Sequence, residues 1–144
     1  MLFKKWDFIQ NHIKFRISKV KFEVVTPIMG FEDIRELEFI RIDDNFATIR
    51  AENGISWSLA NPYSLRDYKL ALSISAQALL DVAQDSQLEV WCMMIIQSPL
   101  EDSRVNFLSP LILNFSNKKL LQFHCAITDY PQYFKLESLR AFIK

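Results

Sequence analysis

Polar and apolar residues exchange at every second position over four separate stretches of this chain. Successive side chains of a strand point to opposite faces, so the pattern calls for strands with one face buried and one face wet. KFEVV (Lys21 to Val25), LEFIRI (Leu37 to Ile42) and FATIRA (Phe46 to Ala51) alternate in this way. ISWSLA is the clearest case, with Ile55, Trp57 and Leu59 on one face and Ser56 and Ser58 on the other. LEVWCMMII (Leu88 to Ile96) and FLSPLILNF (Phe107 to Phe115) are instead almost continuously apolar over strand length, which predicts strands covered on both faces. LQFHCAIT (Leu121 to Thr128) completes the set. Trp57, Trp91 and Phe107 are expected in the core.

The turns are made by Asp43-Asp44-Asn45, Asn53-Gly54, Asn61-Pro62 and Ser116-Asn117-Lys118; Asn-Gly between two alternating runs is the strongest hairpin signal. One short helix is expected at about Ser75 to Gln84, capped by Ser73 or Ser75. Its apolar stripe runs through Leu79, Leu80 and Ala83, and its expected role is to plug the open end or edge of a sheet. The first 18 residues read as a short amphipathic helix through Phe3, Trp6, Ile9 and Ile13. Strands at short spacing with no β-α-β rhythm, in only 144 residues, predict a mostly β, single-domain, closed or nearly closed antiparallel barrel.

Composition narrows function. Half the residues are apolar, including 12 Phe, 4 Tyr and 3 Trp, so the chain folds. Seventeen basic and seventeen acidic side chains cancel, and no global field draws the protein to nucleic acid or anionic lipid. The cancellation is uneven. Lys4, Lys5, Lys14, Arg16, Lys19 and Lys21 face Asp7 alone in the first 21 residues, which leaves the body mildly acidic. Gly30 and Gly54 are the only glycines, which excludes every glycine-rich phosphate loop. Cys92 and Cys125 stand singly in apolar runs and are expected as buried, reduced thiols. Asp7 and Gln10-Asn11-His12 interrupt any secretory signal, and VWCMMII is far short of a membrane span, so a cytoplasmic setting is expected.

Catalytic chemistry has little to stand on. His12 and His124 are the only histidines; His124 alternates with Cys125, so the two point to opposite faces and cannot act together. No pair spacing suits zinc. Glu32-Asp33, Asp43-Asp44 and Glu101-Asp102 read as turn-forming carboxylates, and Tyr63 and Tyr68 as core aromatics. What stands out is two polar-aromatic loops longer than hairpins need, NPYSLRDY (Asn61 to Tyr68) and SPLEDSRVNF (Ser98 to Phe107). Such loops on a rigid barrel tend to carry binding, which gives a non-enzymatic binding protein with no cofactor and no metal.

TPIMGFEDI (Thr26 to Ile34), NPYSLRDY and PLEDSRVNFLSPLILNFSNKKLLQ (Pro99 to Gln122) together resemble the FliW family of flagellar assembly factors. The resemblance covers about Val20 to Gln122. It implies an N-terminal extension over 1–19, a FliW-like barrel over 20–144, a cytoplasmic location and no catalytic activity. It also implies two alternating partners: flagellin, and the translational regulator CsrA, whose repression of flagellin synthesis is relieved when FliW holds it. The partner-binding residues expected on this reading are Asn61, Tyr63, Arg66, Asp67, Glu101, Asp102 and Arg104 in the two loops, with acidic help from Glu32 and Asp33. The alternative is a small nucleic-acid-binding barrel acting directly on RNA, motivated by the aromatic content and the basic first 21 residues.

Overall fold

The computed structural model describes residues 19–142. The helix expected through Phe3, Trp6, Ile9 and Ile13 lies outside the described residues, as does the 1–19 extension save Lys19, which opens the first strand.

Each alternating run forms a strand: β1 (Lys19–Val24), β2 (Glu36–Arg41), β3 (Phe46–Arg50) and β4 (Ser56–Ala60). The longest apolar run gives β5 (Leu88–Ile95), followed by β6 (Arg104–Val105), β7 (Leu111–Asn114), β8 (Lys119–Gln122) and β9 (Glu137–Ser138). Neighbour order is β4-β3-β2-β1-β8-β7-β5, and β4 pairs with β5 through Leu59–Met93 and Ala60–Cys92, so seven strands close on themselves. β6 continues the sheet from the end of β5, and β9 pairs with β6.

One pair departs from the expected antiparallel pattern. β1 and β8 run parallel, Glu23 beside Lys119 and Val24 beside Leu120. The reason is parity: seven strands in a ring cannot all alternate in direction, so at least one neighbouring pair must be parallel. Periodicity within a strand carries no count of strands.

The period of two sorts side chains between two sides of this ring. Phe22, Leu37, Phe39, Ile49, Leu59, Trp91, Leu111, Leu113 and Leu120 fill the interior. The intervening residues of the continuously apolar strands point out and are covered there, as their composition requires. Ile112 and Leu121 lie under a helix, and Ala60, Cys92 and Met94 lie under loops. Trp91 and Phe107 are buried, as expected; Trp57 is only partly so.

Two short helices form where one was expected. The first, α1 (Pro62–Leu65), opens with proline after the N-cap Asn61. The second, α2 (Ile74–Leu79), is capped by the Ser73 hydroxyl, which accepts from Ala76 N at 3.1 Å. It ends short of Gln84 because Asp81 takes a left-handed backbone (φ 55) and Leu80 is locked in place: its carbonyl accepts from Asn114 Nδ2 at 3.1 Å and Asn117 Nδ2 at 2.8 Å. Its buried stripe is Ala76 and Leu80, four residues apart, whereas Leu79 and Ala83 are exposed. The helix does not plug an open end of the barrel; it lies on the outer face of β7 and β8.

Two expected strands are shorter than their apolar runs. The β7–β8 ladder stops at Leu111–Gln122 because the next position is Pro110, which has no N–H to give and only accepts, from Phe123 N at 2.8 Å. His124 and Cys125 therefore lie beyond the strand, yet still on opposite sides, one exposed and one buried. Asn53-Gly54 makes the β3–β4 hairpin, with Gly54 at φ +91, where an L side chain would be strained.

Candidate partner-binding surface

The two long loops meet on the outer face of β4 and β5. Tyr68 is buried there, its hydroxyl donating to the Phe107 carbonyl at 2.7 Å, so the first loop is fastened to the second. A third segment, which the sequence did not single out, binds both. Tyr133 stacks on Tyr68 with centroids 4.6 Å apart, and its hydroxyl spans the Lys69 backbone, accepting from N at 2.7 Å and donating to O at 3.0 Å. Tyr130 stacks on Tyr133 and accepts from Ala71 N at 2.9 Å. On the other loop, Ser138 Oγ donates to the Glu101 carbonyl at 2.7 Å, and Leu139 N donates to Ser103 O at 2.8 Å.

The expected contact residues take different places in this layer. Asn61 is a joint of the fold. Its Oδ1 accepts from Tyr63 N at 3.0 Å, its Nδ2 donates to the Asp44 carbonyl at 3.0 Å, and its N–H donates to Asn45 O at 2.8 Å. Arg66 turns inward, pairing with Glu137, and its guanidinium lies 5.0 Å from the ring centres of Phe107 and Tyr133 and 5.8 Å from that of Phe142. Tyr63 stands outward at 53% exposure with its ring edge-on to Tyr68, 5.6 Å between centroids, and Asp67 is exposed beside it. Asp102 accepts from Arg140 Nε at 3.0 Å, with Glu101 at 3.9 Å from the same guanidinium; Arg104 is exposed on β6.

Glu32 and Asp33 are exposed in the β1–β2 connection, at the end of the barrel opposite the β2–β3 turn that holds Asn61. Glu32 accepts from Gly30 N at 2.6 Å and supports the turn in which Gly30 has φ +86. Asp43 is likewise a turn former, accepting from Asn45 N and Phe46 N, both at 2.8 Å. Among the described residues, no hydrogen bond or ion pair joins Glu32 or Asp33 to the two loops.

Sequence reasoning missed Arg41, Glu89, Tyr133, Glu137 and Arg140. Arg41 sits on the inward-facing side of β2, at the end of its alternating run, and its position in LEFIRI is the signal that could have found it. Tyr130, Tyr133 and Glu137 lie in a segment with no periodicity, and only the fold brings them to Tyr68 and Arg66.

Nothing in this layer assembles a nucleophile, base and orienting acid among the described residues. Ser109 Oγ lies 2.9 Å from His124 Nδ1, and no carboxylate is within bonding reach of that ring. Burial pushes the Cys92 and Tyr68 protons to higher pKa and raises the Cys125 thiol to about 11. A thiol that holds its proton at neutral pH is a poor nucleophile and a poor metal ligand. No described group of three or more His, Cys, Asp or Glu could hold a metal ion, and no described helix is long and apolar enough to cross a membrane.

The class this defines is a small closed β-barrel whose outer face carries a layer built from two loops and the C-terminal segment. The chain belongs to the FliW family: the model described as FliW protein matches residues 9–136, taking in part of the stretch before β1. It is 40% identical over 125 residues to flagellar assembly factor FliW 1 of Wolinella succinogenes, covering 85% of this chain and 98% of that one. It is 37% identical to flagellar assembly factor FliW of Campylobacter lari, covering 85% and 95%. Its fold is similar to a crystal structure of the flagellar assembly factor FliW, with a TM-score of 0.75, 16% identity and 86% of each chain covered.

Proposed function

We propose that this protein is a cytoplasmic, non-enzymatic flagellar assembly factor that binds flagellin and, alternately, the translational regulator CsrA. The observation that carries the reading is the match over nearly the whole length of relatives named flagellar assembly factor FliW. Unsecreted flagellin occupies the protein and leaves CsrA free to repress flagellin synthesis. Export of flagellin frees the protein to take up CsrA. The scheme needs only two mutually exclusive complexes with affinities that bracket the cellular concentrations.

The loop layer supports this reading as a contact surface. Tyr63 is an exposed aromatic backed by a fixed ring, and the exposed Asp67, Glu101 and Arg104 give the two loops charge of both signs, so the layer supplies an anchor and polar groups that a partner could meet. Tyr63→Ala removes the outer ring and leaves Tyr68 in place. It is expected to weaken binding of flagellin or CsrA by about 2 kcal/mol with an unchanged melting temperature, measured by calorimetry. Wild-type affinity for both partners would move the interface elsewhere. A salt-dependent shift of labelled flagellin leader RNA by this protein alone would contradict the reading and favour direct RNA binding.

A further inference from the structure

Every strand of the seven-strand ring lies between Lys19 and Gln122, so residues 130–142 take no part in its closure. That C-terminal segment crosses the loop layer as a strap. Its ladder with β6 is only two residues long, Ser138 beside Arg104 and Glu137 beside Val105. Side chains supply the other polar ties: Ser138 Oγ donates to Glu101 O at 2.7 Å, Arg140 Nε donates to Asp102 at 3.0 Å, and Glu137 pairs with Arg66. The Arg140 pair is solvent-exposed, and such pairs are individually weak. Tyr133 and Leu139, 2% and 3% exposed, make the apolar contact that keeps the strap down, whereas Phe134 and Leu136 stay in solvent.

Residues 69–71 form no helix or strand, and among the described residues no backbone-to-backbone hydrogen bond reaches them. The strap's phenols meet their main-chain groups instead. Tyr133 Oη accepts from Lys69 N at 2.7 Å and donates to Lys69 O at 3.0 Å, while Tyr130 Oη accepts from Ala71 N at 2.9 Å. Two side chains thus stand where a neighbouring strand would. Both belong to one short segment, their rings stacked with centroids 5.6 Å apart, so they leave together or not at all. Backbone whose partners all come from a terminal segment opens with that segment, at a free energy between that of a frayed end and that of global unfolding. We propose that the strap is a latch: residues 130–142 and 69–71 open as one unit while the ring of strands stays closed. Opening breaks the β6–β9 ladder and none within the ring. Closure seats the Tyr68 ring, stacked on Tyr133, and Tyr63 rests edge-on against it. The latch does not depend on which partner the protein binds.

Amide hydrogen exchange of the full chain, resolved residue by residue by NMR, reads the opening. Lys69, Ala71 and Leu139 report the latch, since their N–H groups donate to Tyr133, Tyr130 and the Ser103 carbonyl; amides of β2 and β3 report the ring. The three latch amides are expected to share one opening free energy and to exchange faster than the ring. Tyr133→Phe keeps the stacked ring and removes the hydroxyl. It is expected to speed all three about tenfold and leave β2 and β3 unchanged. Ser138→Ala is the sharper variant, because Ser138 bonds Glu101 and Arg140 and not residues 69–71, yet should speed Lys69 and Ala71 severalfold together with Leu139. Circular dichroism melts of each variant establish that the fold is retained. Latch amides that exchange at the same limit as β2 and β3, an effect of Ser138→Ala confined to Leu139, or equal acceleration of the ring overturns the proposal. Failure of the protein to bind flagellin or CsrA would remove the proposed function and leave this exchange result standing.

Discussion

Two tryptophans show how much a single position is worth. Trp91 points into the barrel at 2% exposure, with its indole N–H held by Glu89, whereas Trp57 is only partly buried, its ring edge-on to Phe31. Truncating a buried aromatic typically costs about 3 to 5 kcal/mol, so Trp91→Ala should melt far below wild type and Trp57→Ala should fall clearly less. Equal losses in thermal unfolding would show that the partly buried ring contributes as much as the buried one. Alternation put Trp57 on the inward face and the continuous apolar run made Trp91 a core residue, but where a strand ends relative to the barrel rim is written in neither pattern. The thiols give a second reading at this scale. Burial raises Cys125 from 9.0 to about 11, so between those values the unfolded chain releases a proton that the folded chain keeps. The unfolded state then binds fewer protons, and stability falls as pH rises through that window. Cys92 and Tyr68, raised by the same burial, act in the same direction. Denaturant midpoints should therefore decline above pH 9, and thiol reagents at pH 7.5 should label both cysteines only on unfolding; rapid native labelling would contradict this.

Among the elements, the C-terminal segment matters most to the candidate surface and was least visible beforehand. Tyr130 to Phe142 has neither a helical nor a strand period, and it becomes a strap only because Arg66, Tyr68 and Phe107 present it with a cation and two rings. The strands were legible from the chain because their signal is local: an alternating face needs only its own neighbours. Arg66 was not, since the groups that draw it inward lie roughly 40 to 75 residues further along. A guanidinium is flat and stacks over rings, which an ammonium does not do equally well. Arg66→Ala is therefore expected to cost about 2 kcal/mol, and Arg66→Lys to recover part of it by keeping the pair with Glu137. Limited proteolysis should cut the C-terminal segment of Arg66→Ala first. Equal stability of all three proteins would show that the cage contributes nothing.

For the whole molecule, the closed ring explains what such a protein offers a partner. Among the described residues the seven-strand ring leaves no long exposed sheet edge, so contact falls to the loops, the strap and the connections between strands. The single-domain barrel was legible from many short strands and the near absence of helix; its parity, and hence the parallel β1–β8 pair, was not, because strand count is a property of the closed ring. The expected contact residues likewise divide between the loop layer and the β1–β2 turn, which spacing along the chain could not reveal. As proposed above, one protein alternates between two partners. Size-exclusion chromatography of the full chain with purified CsrA and flagellin, singly and then together at micromolar concentration, tests it directly. A stable complex is expected with each partner alone, and release of CsrA as flagellin is added. A ternary complex eluting as one species, or no complex with either protein, would contradict it.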